Sequence, residues 1–99
     1  MKIAFVICND VYTPRVMEIL TRNGIDFYTR WEHVAGKGHG TEPHLGTRSF
    51  PSINSVLMIA FDHEEPLSKL IQELTDANCG IPRPDDRIRL FQVPLEKMV

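Results

Sequence analysis

The chain has 99 residues, 42% of them hydrophobic and 24% charged, with a formal net charge of −2. That is enough for one domain around one core, and the mild acidity excludes a general nucleic-acid binder, which needs a basic face. Two distant cysteines without CxxC spacing are not a disulfide framework, and no apolar run is long enough to span a bilayer, so a cytoplasmic, reduced protein is expected.

Residues 2–8 form a short, nearly continuous apolar run rich in β-formers and predict a buried strand. The run stops at Asn9 and Asp10 with no small-residue cleavage site, so it is not expected to be a secretion signal. Thr13 and Pro14 read as an N-cap and first helical residue, and Val16, Ile19 and Leu20 supply an apolar stripe. Asn23-Gly24 then stops the helix.

In residues 25–33, Ile25, Phe27, Thr29 and Trp31 alternate with Asp26, Tyr28, Arg30 and Glu32, which predicts a half-covered strand. Trp31 shares the face of Ile25 and Phe27 and is assigned to the core or to a subunit interface. Residues 55–61 form a second unbroken apolar strand. Glu64, Glu65 and Pro66 open a second helix whose buried face is Leu67, Leu70, Ile71 and Leu74, and residues 78–80 close it. A proline-containing turn at 81–86 precedes a last strand over 87–94.

The order β-α-β-β-α-β predicts an α+β, ferredoxin-like domain with a four-stranded antiparallel sheet over residues 1–99. Its first and third strands are central, where the two continuous apolar runs fall. Helices cover only one face of such a sheet, yet unbroken apolar strands need cover on both. A second face dressed by further copies of the same chain is therefore expected.

Between the second and third strands runs an unstructured connection of roughly twenty residues, a length that is usually functional or disordered. It carries Gly36, Lys37, Gly38, His39, Gly40 and His44. The fold gathers this loop, Cys8, Asn9, Asp10, Cys79 and the 81–86 turn at one pole, and leaves His63 at the other. Gly36-Lys37-Gly38-His39-Gly40 is not a Walker loop, because no helix and no Gly-Lys-Ser/Thr ending follow. His39 and His44 read either as solvent-facing or as ligands of a divalent metal, with Cys8, Cys79 or further copies completing the set. Arg87 and Arg89 share one face of the last strand, where they either protect a sheet edge or contact an anionic effector.

These residues, in this order, make the chain similar to the PII signal-transduction superfamily. The likeness rests on the strand-helix opening through Pro14 and Gly24, the stretch Val34 to Glu42, Pro51, and the strand ending Leu90 to Glu96. It implies a homotrimer with its sheets facing inward and a mobile loop at about 36–52 that contacts a partner transporter or enzyme. It also implies a non-enzymatic role, with a small effector, commonly an adenine nucleotide, bound at the subunit cleft. Gly36, Lys37 and Gly38 match the loop base of that site, and Arg89 its basic residue.

The phosphate-cradling glycine turn of typical members is replaced here by Pro82, Arg83, Pro84, Asp85 and Asp86. Their C-terminal arginines have no counterpart up to Val99, and the loop lacks the tyrosine that is uridylylated in the family. ATP or ADP binding is therefore expected to be absent or much weaker than in typical members, and the effector is unidentified.

The alternative is a metal-binding trimer resembling the CutA proteins, with His39 and His44 as ligands. An RNA-recognition domain shares the strand order, but residues 55–61 lack its aromatic motif. Acylphosphatase-like catalysis would need a phosphate cradle after the first strand, and residues 9–13 are not one.

Overall fold

The structure, a computed structural model, describes all 99 residues. It runs β1 (Lys2–Asn9), α1 (Thr13–Arg22), β2 (Thr29–Val34), β3 (Asn54–Phe61), α2 (Glu64–Cys79) and β4 (Arg89–Pro94), with 3-10 turns at Asp10–Tyr12 and Pro84–Asp86. The sheet is antiparallel throughout with order β2-β3-β1-β4, so the two apolar runs are central and the fold is the ferredoxin-like α+β expected. No helix is long and apolar enough to cross a membrane.

Strand periodicity sorts β1 and β3 into two faces. Ala4, Val6 and Cys8 of β1, with Ser55, Leu57, Ile59 and Phe61 of β3, point to the helices and are buried. Val16, Ile19 and Leu20 of α1 and Leu67, Leu70 and Leu74 of α2 close that core. The other face is arranged in cross-strand rows: Trp31, Val56, Ile7 and Arg89; then Thr29, Met58, Phe5 and Phe91; then Ala60, Ile3 and Val93. No element of the chain covers it, and Trp31 and Phe91 are 46% and 53% exposed.

Several local expectations are corrected. Strand β2 starts at Thr29 rather than at residue 25, because Gly24 (φ +70°) turns the chain and the Ile25 N–H caps α1 by donating to Leu20 O. Ile25 then enters the core and Phe27 meets Phe61 edge-on, at 6.2 Å between ring centroids. Trp31, opposite Val56, lies on the uncovered face, so it does not share a face with Ile25 and Phe27. Thr13 is not an N-cap: it lies inside α1, its hydroxyl donates to Ser55 Oγ, and no side chain caps that helix. Strand β4 begins at Arg89 because Ile88 is drawn away by reciprocal bonds to the Asn78 side chain at 2.7 and 2.8 Å.

Candidate functional site

The pole predicted from topology is the place where the loop, the end of β1 and the Pro84–Asp86 turn meet. The connection between β2 and β3 is not a bare tether. Gly36 and His44 exchange both backbone hydrogen bonds, Gly46 N–H donates to Ser52 O, and Thr47 N–H donates to Phe50 O. These contacts fold the segment into two successive hairpin tiers. Its glycines have local reasons: Gly40 and Gly46 take positive φ, where a side chain is strained.

His44 anchors the lower tier. It is only 7% exposed, so its solvent-facing reading is wrong: the bridge to Gly36 turns the ring inward. Nδ1 donates to Asn54 Oδ1 at 2.7 Å, and Nε2 lies 3.5 Å from Asp86 Oδ1. The same Asp86 oxygen accepts from Asn9 Nδ2 at 3.2 Å. One buried cluster thus ties the loop to β3, to the end of β1 and to the 3-10 turn. His39, by contrast, is exposed. No group of three or more His, Cys, Asp or Glu side chains is placed to hold a metal ion. His63 stands at the N-terminal boundary of α2, away from this pole.

Above this cluster opens a cleft of about 530 Å³. Its wall brings together Gly36, Lys37, Gly38 and His39 from the loop and Arg87 and Arg89 from the approach to β4. Ile7 and Phe91 extend it onto the uncovered sheet face. Asn9, Asn54, Thr41 and Gly38 add polar groups, and Thr41 Oγ1 already accepts the Gly38 N–H at 2.9 Å.

The charges in the cleft are unevenly matched. Glu42 is paired with Arg83, and Asp86 lies 3.8 Å from the same guanidinium. Lys37, Arg87 and Arg89 have no carboxylate within ion-pair distance. Asp85 accepts the backbone N–H of Glu42 at 3.0 Å. Cys8 also borders the cleft. Burial pushes its thiol pKa up and the Asp10 charge adds to that, while the Thr13 hydrogen bond opposes it. Cys8 is therefore a neutral, packed thiol rather than a ready ligand. Cys79 is exposed at the end of α2 and does not line the cleft.

Sequence reasoning missed Thr41, Asn54, Phe91 and the role of Asp86. A loop threonine or an asparagine at a strand start is common, and only the Gly36–His44 bridge brings these side chains together.

No family model and no curated protein matches the sequence. Solved structures do match its fold. The protein CPII from Thiomonas intermedia K12, a nitrogen regulatory PII-like protein, superposes in its apo form with TM-score 0.67 at 15% identity, over 93% of this chain and 85% of that one. CPII bound to ADP and bicarbonate gives TM-score 0.68 at 16% identity, over 97% and 88%. A PII-like signalling protein from Thermus thermophilus gives 0.61 at 16% identity, over 93% and 83%. The chain has the fold of PII-like signalling proteins.

Proposed function

We propose that this chain is a divergent, non-enzymatic PII-like regulator. It senses a small anionic effector in the cleft at the base of its loop. It controls a partner transporter or enzyme through residues 36–52. The observation that carries this reading is the cleft itself, where Lys37, Arg87 and Arg89 lack carboxylate partners beside the glycines Gly36 and Gly38. Unpaired cations supply the recognition chemistry of phosphate and carboxylate groups, while the Gly36 and Gly38 N–H groups are already bonded to His44 O and Thr41 Oγ1.

The same geometry supports assembly as a homotrimer. The uncovered rows of Ile3, Phe5, Ile7, Met58, Phe91 and Val93 need an apolar partner, and a symmetric copy supplies one. The cleft reaches that face through Ile7 and Phe91, so a neighbouring subunit would complete it. The CPII complex with ADP and bicarbonate supports these two anions as the first effectors to try. Differential binding of the effector to one arrangement of the loop would supply the switching energy.

The test is calorimetric titration with ADP and with bicarbonate. Saturable binding that is weakened about tenfold or more by Arg89→Ala or Lys37→Ala is the expected result. Absence of binding by either anion, alone or together, refutes the effector reading. Nothing in the cleft favours the metal-binding alternative, since both ring nitrogens of His44 already face Asn54 and Asp86.

A further inference from the structure

We infer that Asp85 is a built-in anion, holding the base of the loop onto the Pro84–Asp86 turn and competing with the effector for the same place. The inference rests on the reading of the cleft as an anion site. Asp85 Oδ2 accepts the Glu42 N–H at 3.0 Å, across 43 positions of sequence. A carboxylate accepting a loop N–H beside unpaired cations occupies the place that an oxygen of a phosphate or a bicarbonate would take. Asp85 lines the same cleft as Lys37, Arg87 and Arg89, yet it has no basic side chain within ion-pair distance.

Its neighbours explain why it is held there. Asp86 faces inward to Asn9 and His44, which fixes the turn, and Arg83 grips the Glu42 side chain from the same segment. The turn therefore holds residues 42–44 by three contacts: the Asp85 bond, the Arg83–Glu42 pair and the Asp86–His44 approach. Pro82 and Pro84 have no N–H to offer an incoming anion, which leaves the turn with fewer backbone donors.

An anion that binds Lys37, Arg87 and Arg89 repels Asp85 and takes over the Glu42 N–H. Of the three contacts, the Asp85 bond alone lies in the path of the ligand without a cationic partner to retain it. Effector binding thus releases one of the ties between the turn and the loop. That release couples the cleft to the segment expected to meet a partner.

Two variants separate charge from geometry. Asp85→Asn keeps an oxygen for the Glu42 N–H and removes the charge, whereas Asp85→Ala removes both. In the ligand-free protein, hydrogen exchange at the Glu42 amide is expected to rise about tenfold in Asp85→Ala and to stay near wild type in Asp85→Asn. Titrated with ADP or bicarbonate, Asp85→Asn is expected to bind about three- to tenfold more tightly than wild type. Asp62→Asn, which removes an exposed charge at the other end of β3, is expected to leave affinity unchanged. Unchanged Glu42 exchange in Asp85→Ala overturns the latch. Equal or weaker affinity in Asp85→Asn, or an equal gain in Asp62→Asn, overturns the competition. If no variant binds either anion, the effector reading and the competition both fall, while the exchange data in the ligand-free protein still decide the latch.

Discussion

Gly36 and Asn54 approach so closely that a Cβ on Gly36 would lie 2.5 Å from Asn54 Nδ2. Asn54 also accepts the hydrogen bond from His44 Nδ1, so this glycine leaves room for the side chain that positions the buried histidine.

Gly36→Ala should therefore act as more than a local change. The added methyl displaces the Asn54 carboxamide and breaks its bond to His44. A destabilisation of about 1–3 kcal/mol in urea unfolding is expected, with weakened anion binding. An unfolding midpoint equal to wild type would show that Asn54 has room to move.

The two loop histidines should behave differently. His44→Ala removes a buried partner of Asn54 and a close neighbour of Asp86 and is expected to cost about 1–3 kcal/mol, because the Asn54 oxygen loses its donor and the ring leaves a cavity. His39 is exposed and its side chain makes no hydrogen bond, so His39→Ala should stay within about 0.5 kcal/mol of wild type. Thermal and urea denaturation of the two variants decide the point. Equal effects would remove His44 as the anchor.

Light scattering should report a mass of three chains for the wild type. Met58 lies in the middle row of the uncovered face, opposite Phe5 and beside Phe91 across that strand. Met58→Glu places an unpaired charge there and should shift the mass towards one chain while the fold, read by circular dichroism, persists. A wild type that runs as a stable monomer would end the trimer reading.

ATP should bind far more weakly than in PII proteins with a glycine-rich phosphate turn. Pro82 and Pro84 give no N–H, and Asp85 sets a negative charge in the cleft. Each missing charged hydrogen bond costs about 1.5–3 kcal/mol, so two of them lower affinity roughly a hundredfold or more. Calorimetry with ATP and ADP, with and without magnesium, is the measurement. Low-micromolar ATP binding would show that Arg83, Arg87 or Arg89 carries the triphosphate.

The thiols offer a pH-dependent check on burial. Cys79 is exposed and should react first with a thiol reagent, whereas Cys8 should react only as the protein opens. Burial raises the pKa of Cys8 above 9.0, so the folded state holds that proton more tightly than the unfolded state does. The resulting stability is complete below the unfolded pKa and is lost as pH rises through the folded one. Urea unfolding across alkaline pH should therefore show stability falling with pH, and Cys8→Ser should reduce that slope.

The strand order, the central placement of the two apolar runs and the pole at which the loop gathers were legible from the residues alone. Hydrophobic periodicity and cap residues are local signals, and the β-α-β-β-α-β order leaves few ways to pair four strands. Gly36, Lys37, Gly38, Arg87 and Arg89 were legible as candidates from residue type and resemblance. Only the tertiary structure set the start of β2 and the side on which Trp31 lies, because Ile25 spends its N–H on Leu20 rather than on a neighbouring strand. It also decided that His44 is buried while His39 is not, and that Asp86 turns inward while Asp85 faces the cleft. Residues of identical type, close together in one loop or turn, carry no local signal that tells them apart. The backbone bridge between Gly36 and His44 and the long-range bonds to Asn9 and Glu42 make the difference, and those contacts join segments far apart in the chain.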